Sequence, residues 1–401
     1  MQPDSPGNTQ GITLRFIHTS DWHLGMTRHY LKGEAQARFT QDRIDIIGSL
    51  ATLAVREHAS FMVVCGDVFD ANEVAPQTVQ RAAEKLADFP VPVFILPGNH
   101  DPLNAASVYD HRAFVDLPDH IHVLRNNGVI SVPGAPGIEI VAAPWHRKQV
   151  LSDLVAQMLG PLQPVREGGV RIAVAHGQLD SLSADRHHPA TIGIEPVRAA
   201  LGENKIQYLA LGDRHSLTDC DDSGRIWYSG TPVATDFNET SPNQVLLVDA
   251  SVGIDPRAQV QPVTVGQWQF EQLHDTINNA QDIDRFEKTL SDLRNKERVV
   301  ARLVLDGALK LEQSARLSTV LDTKRALFAS LRIHDPLSNL TVLPDVMDID
   351  SLTLSGYARS AWDDLAGQAV SNAPGSQVAT DALELFYRLA HVEKQATGRR
   401  H

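Results

Sequence analysis

Short apolar runs alternate along the chain with longer stretches in which apolar residues recur at helical spacing. Leu14–His18 (LRFIH) is an apolar run ending in polar residues and reads as a buried strand. Phe39, Ile46, Ile47, Leu50, Leu53 and Ala54 mark one face of a helix between Phe39 and Val55. Phe61–Cys65 (FMVVC) reads as a second buried strand, bounded by Gly66. Pro76 opens a helix to about Asp88, its ring at a position where no N–H is needed. Val93–Leu96 is a third strand, stopped by Pro97-Gly98. This order is that of βαβ units and predicts an α/β fold with a mainly parallel sheet covered on both faces.

Ile121–Leu124, Val129–Val132 and Ile138–Ala142 read as further strands, joined by Asn-Asn-Gly and Pro-Gly turns. Val170–Ala175, Ile206–Leu211, Ile226–Ser229 and Val245–Val248 continue the strand-rich pattern, and Gly177–Pro196 reads as a loop. After Trp268 the texture changes. Phe270–Glu297 is charged and helical, Val299–Leu305 a strand, Leu311–Ser330 helical, and Leu331–His334 and Leu340–Leu343 strands, which together make a small α+β module. Ser371–Gly375 (SNAPG) reads as a linker. Gln377–Gln395 reads as an amphipathic helix with Val378, Ala382, Leu385, Phe386 and Leu389 on or near one face. The expected organisation is a leader over 1–11, a main domain over 12–268, the α+β module over 269–370, and a linker with a C-terminal helix over 371–401.

Composition changes this picture only by exclusion. Hydrophobic residues make up 42% of the 401, which excludes a disordered or collagen-like chain. Two cysteines, Cys65 and Cys220, exclude a disulfide framework and a Cys-based zinc finger. No apolar run approaches the ~20 residues of a membrane span, and the leader lacks the parts of a signal peptide, so a cytoplasmic protein without a membrane partner is expected. The net charge of −13 argues against a passive nucleic-acid coat. It leaves room for an enzyme that meets DNA at one local site through bound cations.

The candidate chemistry lies where strands end. The first runs into Asp21-Trp22-His23, the second into Gly66-Asp67, the third into Gly98-Asn99-His100-Asp101. Val170–Ala175 ends at His176-Gly177, and Ile206–Leu211 at Gly212-Asp213-Arg214-His215. The carboxyl ends of parallel strands share one edge, where ligands bind. Asp21, His23, Asp67, Asn99, His176, Asp213 and His215 would there supply seven oxygen and nitrogen ligands, enough for two metal ions. A mixed nitrogen and oxygen set favours Mn²⁺, Fe²⁺ or Zn²⁺ over Ca²⁺. Two such ions ~3.5–4 Å apart clamp a phosphate during in-line displacement.

The order Asp-x-His, Gly-Asp, Gly-Asn-His-Asp, His, Gly-x-x-His resembles that of the calcineurin-like metallophosphoesterases over about residues 14–250. More narrowly, Leu14–Gly25 (LRFIHTSDWHLG), Cys65–Asp70 (CGDVFD) and Leu96–Asp101 (LPGNHD) resemble the SbcD nucleases, the nuclease components of bacterial SbcCD complexes. The resemblance implies a β-sandwich flanked by helices, followed by a small α+β cap domain. It implies that Asp21, His23 and His215 hold one divalent ion and Asn99, His176 and Asp213 the other, with Asp67 bridging. His100 is then the non-ligand catalytic histidine, oriented by Asp101, and hydrolysis proceeds without a covalent intermediate. Mn²⁺ is the leading ion, with Fe²⁺ and Zn²⁺ as alternatives. DNA, an SbcC-like coiled-coil ATPase and a second copy of the chain are the implied partners.

One position departs from the pattern: most members carry Gly-His-x-His where this chain has Gly212-Asp213-Arg214-His215. Weaker candidates surround the motifs. Arg28, Lys32, Arg38 and Arg43 fit phosphate contacts or a plain charged helix face, and Trp145-His146-Arg147 fits a substrate contact or a packed Trp beside a solvated His. His187-His188 reads as solvated, and Cys65 as a small apolar residue under the site. The leading reading is a metal-dependent DNA exonuclease or endonuclease in DNA repair. The alternatives are a small-molecule phosphodiesterase or phosphatase and a catalytically weak binding module. Asp213→Ala is expected to weaken Mn²⁺ binding more than Asp213→His; equal titrations by calorimetry would remove Asp213 from the site.

Overall fold

The computed structural model describes residues 13–183, 185, 188–251, 258–343, 356–370 and, between 375 and 389, all but 377, 384 and 388. The leader, His187 and linker residues 371–374 lie outside the described residues, as do residues 390–395 of the last predicted helix. The chain divides into two compact units, the first ending at Trp268 and the second beginning at Gln269.

In the first unit the early elements are β1 (Thr13–Thr19), α1 (Glu34–Arg56), β2 (Phe61–Cys65), α2 (Pro76–Ala87), β3 (Val93–Leu96), α3 (Arg112–Val115) and β4 (Ile121–Val123). Then come β5 (Ile130–Ser131), β6 (Ile138–Ala142), α4 (Leu154–Leu159), β7 (Val170–His176), α5 (Ile194–Gly202) and β8 (Tyr208–Gly212). The unit closes with β9 (Thr218–Asp219), β10 (Ile226–Tyr228), β11 (Gln244–Ser251) and β12 (Ala258–Thr264). The strands form two six-stranded sheets, ordered β12-β11-β1-β2-β3-β4 and β5-β6-β7-β8-β10-β9, which is the β-sandwich that the resemblance implies and corrects the single mainly parallel sheet read from the strand–helix order. Each has parallel strands at its centre and antiparallel strands at an edge, β11 and β12 in one, β5 and β9 in the other. The motif-bearing strands are thus split, β1 to β3 in one sheet and β7 and β8 in the other.

The two sheets share a core. Phe16, Phe61, Val63 and Phe94 of the first cluster with Ile140, Ile172, Val174 and Tyr208 of the second. Phe16 stacks on Phe61 at 4.9 Å and meets Tyr208 edge-on at 5.7 Å. His18 crosses the same gap, its ring nitrogens bonded to the Tyr208 hydroxyl and the Leu211 carbonyl, each at 3.1 Å. Burial pulls its pKa down to about 3, so it bridges the sheets as a neutral ring. On the outer face of the second sheet, Val141, Ala173 and Leu209 pack with Val155, Met158 and Val197 of α4 and α5. Helix α1 buries the face the sequence pattern marks, including Phe39, Ile47, Leu50 and Leu53.

Arg43, on that same helix, is neither a phosphate contact nor a solvated charge. It is fully buried, donating to the carbonyls of Trp22 (2.7 Å), Val233 (3.2 Å) and Ala234 (3.1 Å) and stacking over Phe39. Burial pushes its pKa down to about 9. It ties α1 to the loop that carries Asp21 and His23 and to the loop that runs into Thr235, a partner of the His215 ring.

The second unit contains β13 (Gln269–Thr276), α6 (Ala280–Asp292), β14 (Val299–Lys310), α7 (Leu311–Arg325), β15 (Ser330–Ile333), β16 (Asn339–Leu343) and α8 (Gly356–Val370). The helix expected over Phe270–Glu297 is corrected: its first part is β13, paired in parallel with β14 from Gln269↔Val299 to Thr276↔Asp306. Helix α6 starts only after Asn279, whose side chain accepts from the Asp282 N–H. Leu303 and Leu305 of β14 pack with Phe286 and Leu290 of α6 and Leu317 and Leu321 of α7. The described residues between 376 and 389 are helical, and Leu383 and Tyr387 pack on Trp362 of α8. The apolar face expected there is also corrected, since Val378, Leu385 and Leu389 are exposed while Ala379, Leu383 and Tyr387 are buried.

The core between the sheets carries the first unit, and Phe16 sits at its centre with no exposed surface. Phe16→Ala is expected to cost about 3–5 kcal/mol of stability, read as a lower urea midpoint at unchanged slope.

Candidate metal centre

Strands β1, β2 and β3 run parallel, as do β7 and β8, and each pair ends in register: Thr19 opposite Val64, Cys65 opposite Leu96, His176 opposite Gly212. The candidate residues follow these ends, so both sheets deliver them to a shared edge of the sandwich. The loops after β1 and β2 stay paired beyond the strands, through Asp21 N–H to Gly66 O, His23 N–H to Asp67 O and Leu24 N–H to Val68 O. Asp21, His23, Asp67 and Asp213 all hold positive φ, 54°, 46°, 54° and 97°, a region non-glycine residues seldom occupy. Such strain persists only where the surroundings enforce it, and it clusters at working sites.

Two glycines let the sheets close on one another here. A Cβ on Gly212 would lie 1.9 Å from the Cys65 carbonyl oxygen, and one on Gly66 would lie 2.2 Å from His176 Nδ1. Both positions therefore exclude any side chain.

The ligand-type atoms converge in three overlapping groups: Asp21, His23 and His215; His23, Asp67 and His100; Asp21, Asp67 and His176. His23 Nε2 and His215 Nε2 are 3.0 Å apart. His176 Nε2 lies 2.7 Å from Asn99 Oδ1, 3.4 Å from Asp67 Oδ2 and 3.7 Å from Asp213 Oδ1. Asp67 Oδ2 is also 4.0 Å from His23 Nε2, while its Oδ1 accepts the His100 N–H at 2.9 Å. One carboxylate oxygen thus lies between the two halves of the cluster.

The far sides of the imidazoles decide what the near sides can do. His176 Nδ1 faces the Cys65 carbonyl at 2.8 Å, and His215 Nδ1 faces Thr235 Oγ1 at 2.8 Å and Glu239 Oε1 at 3.1 Å. A carbonyl or carboxylate accepts, so these Nδ1 atoms carry the proton and each Nε2 presents a lone pair to the centre. His23 Nδ1 is buried 3.3 Å from Asp70 Oδ1, at ion-pair distance but outside hydrogen-bond geometry. His23 Nε2 and His215 Nε2 at 3.0 Å, and His176 Nε2 against three oxygens, meet favourably only with a proton or a cation between them.

The electrostatics agree. Burial pushes the Asp21 carboxyl up to about 6 and raises Asp213, although neighbouring imidazoles pull both the other way. Burial likewise lowers His23 to about 4. Asp67 goes against its burial: His176 and His23 hold its carboxyl well below the usual range. His176 and His215 are raised against burial, His176 by Asp67, Asp21 and Asp213, His215 chiefly by Glu239 and Asp21. The ion-pair partners at hand for Asp21, Asp67 and Asp213 are imidazoles. The donor set, its inward lone pairs and its excess of carboxylate fit divalent cations.

The structure brings all seven sequence-proposed ligands together, with His100 beside them, its ring edge-on to His23 at 5.0 Å. The expected orientation of His100 by Asp101 is corrected. His100 Nδ1 bonds to the Asp70 carbonyl at 2.7 Å, whereas buried Asp101 accepts from the Gly98 N–H, the Phe69 N–H and the Tyr109 hydroxyl. Asp101 holds the loops, not the ring. Arg28 donates to the Thr235 carbonyl at 2.8 Å, Trp145 is buried with its Nε1 on the His176 carbonyl, and Arg147 is exposed on the loop after β6. An open cleft of about 430 Å³ is lined by Asn99, Asp213, Trp145, Lys148, Gln178 and Thr191. Sequence reasoning misses Asp70, Thr235 and Glu239. Asp70 stands inside the Cys65–Asp70 motif, but Glu239 follows the last motif in a turn-rich segment with no periodicity to mark it.

Among known proteins, the calcineurin-like phosphoesterase family matches residues 14–217. The SbcD component of the SbcCD nuclease of Bacillus subtilis is 27% identical over 268 residues, covering 60% of this chain and 67% of that protein. The DNA double-strand break repair protein Mre11 of Saccharolobus solfataricus is 26% identical over 226 residues, covering 55% of this chain and 54% of that protein. The metallophosphoesterase YhaO of Bacillus subtilis is 24% identical over 319 residues, covering 73% of this chain and 72% of that protein. The chain thus spans from about half to about two thirds of the two nucleases' own lengths.

Glu239 fixes the protonated side of His215, and losing such a partner typically weakens metal affinity about 10–100-fold. Glu239→Ala is expected to lower Mn²⁺ affinity by that factor in calorimetric titration, with an unchanged circular dichroism spectrum.

Proposed function

The chain belongs to the calcineurin-like phosphoesterase family, and on that premise we propose that it is a two-cation phosphodiesterase acting on DNA, a nuclease of the SbcD kind. The observation that carries the reading is the convergence of seven ligand atoms with their lone pairs turned inward and His100 at their margin. Asp21, His23 and His215 would hold one cation and Asn99, His176 and Asp213 the other, with Asp67 placed between the two groups. When bound, the ions, Mn²⁺ first among the candidates, polarise the phosphoryl oxygens and supply an activated water for in-line displacement.

The chain's own residues do the rest. His100 is anchored by Nδ1–H on the Asp70 carbonyl, which leaves Nε2 to take a proton from solvent and pass it to the leaving oxygen, Nδ1 keeping its own. Asp67 positions both the cations and the His100 backbone, and Asp101 stiffens the turn that carries Asn99 and His100. A DNA substrate is supported by what the two nuclease relatives are, and by a second unit, from Gln269, for which a small cyclic ester has no need. We take residues 269–370 as the cap domain that the resemblance implies and the helical residues after 375 as a segment that docks a coiled-coil ATPase. Among the described residues no helix is long and apolar enough to cross a membrane.

The test is Mn²⁺-dependent cleavage of linear duplex DNA. His100→Ala is expected to lower its rate by about 10²–10⁴-fold while cation affinity stays at the wild-type value. Turnover of bis-p-nitrophenyl phosphate or a cyclic nucleotide without any DNA cleavage would replace the nuclease with a small-substrate phosphodiesterase. No turnover of any ester would leave a binding module.

A further inference from the structure

The two halves of the cluster are chemically unlike. Around His23 gather two imidazoles, with Asp21 and an oxygen of Asp67. Around His176 there is one imidazole, and the atoms facing its Nε2 are oxygens of Asn99, Asp67 and Asp213. Asp213 makes the difference, and its place is built rather than incidental. Its backbone N–H donates to both carboxylate oxygens of Asp21 at 3.2 Å, its φ of 97° is held by that contact, and its side chain is largely buried. A histidine there would give both halves two nitrogens.

We propose that Asp213 sets different ion preferences at the two positions, the His23–His215 position taking a nitrogen-preferring ion such as Zn²⁺ and the Asn99–His176–Asp213 position an oxygen-preferring one such as Mn²⁺. The physical reason is ligand hardness: imidazole suits zinc and iron, whereas carboxylate, amide oxygen and water suit magnesium and manganese. A carboxylate in place of an imidazole also adds one negative charge, which narrows the general advantage of zinc without reversing the preference of the nitrogen-rich position. The inference rests on the two-cation reading above and names the cofactor chemistry of that same centre.

The experiment starts from the full chain freed of metal with a chelator and equilibrated with one equivalent of Zn²⁺ per chain and a large excess of Mn²⁺, which offsets the general advantage of zinc. Bound metal is read by mass spectrometry, and its position by anomalous diffraction at the two absorption edges. The expected result is one ion of each kind per chain, with manganese beside His176. Asp213→His should raise the zinc-to-manganese ratio at that position by about tenfold or more, and Asp213→Asn should keep the wild-type order of preference at weaker affinity. Zinc spread equally over the two positions in the wild type, or an unchanged ratio in Asp213→His that binds both ions, overturns the role of Asp213. A wild-type chain that binds neither ion overturns both this inference and the two-cation reading. Correct partition without DNA cleavage leaves the inference standing and removes only the nuclease.

Discussion

Carboxylate and imidazole lone pairs brought face to face repel, and at the shared edge of the two sheets they lie within 4.8 Å of one another. The rest of the first unit can be understood as what holds them there. Burial opposes ionisation of Asp21 and Asp213 and protonation of His23, while Asp67, His176 and His215 support one another's charge, so the cluster is only partly balanced until a cation arrives. The cluster is held in place by a core filled by stacked aromatics, by buried Arg43 bonded to three carbonyls, and by paired loops that keep Asp21, His23 and Asp67 at positive φ. A centre built this way is ready for its cations before they come, which is the preorganisation that lets fixed groups act on charge in a substrate.

Much of this is legible in the sequence, for a simple reason. Buried central strands such as Phe61–Cys65 announce themselves by unbroken apolar runs, and polar residues immediately after such runs are at strand ends wherever the strands lie. What the sequence does not say is which sheet each strand joins. The ends of β3 and β7 look alike in one dimension, and although the resemblance implies two layers, it is the packing of Phe16 against Tyr208 across the gap that assigns strands to each. β13 passes for helix because Phe270 and Leu273 are its apolar residues, three apart, a helical interval on a strand that stands at the edge of its sheet. The final helix offers a choice between two neighbouring stripes, and the pattern is right only at their shared margin, since Phe386 meets Trp362 along with Leu383 and Tyr387 while Val378 and Leu385 are exposed.

The chemistry shows the same division. Residues that face the centre follow motifs, whereas those that hold them in place do so through backbone carbonyls and distant side chains. Asp101, expected to orient the His100 ring, instead gathers two N–H groups and the Tyr109 hydroxyl, because a buried carboxylate must collect donors and the nearest ones belong to the turn. His100 is anchored by a main-chain oxygen, a partner no residue type can advertise.

Because one sheet contributes Asp21, His23, Asp67 and Asn99 and the other contributes His176, Asp213 and His215, the thickness of the sandwich is also a dimension of the reaction centre. His18, bonded at once to Tyr208 and Leu211, acts as a gauge block between the layers a few residues short of the ligands. Evolutionary drift in interior residues that never meet a phosphate therefore alters the span between the halves of the cluster. The chain's freedom to repack its interior is limited by tolerances that belong to its chemistry.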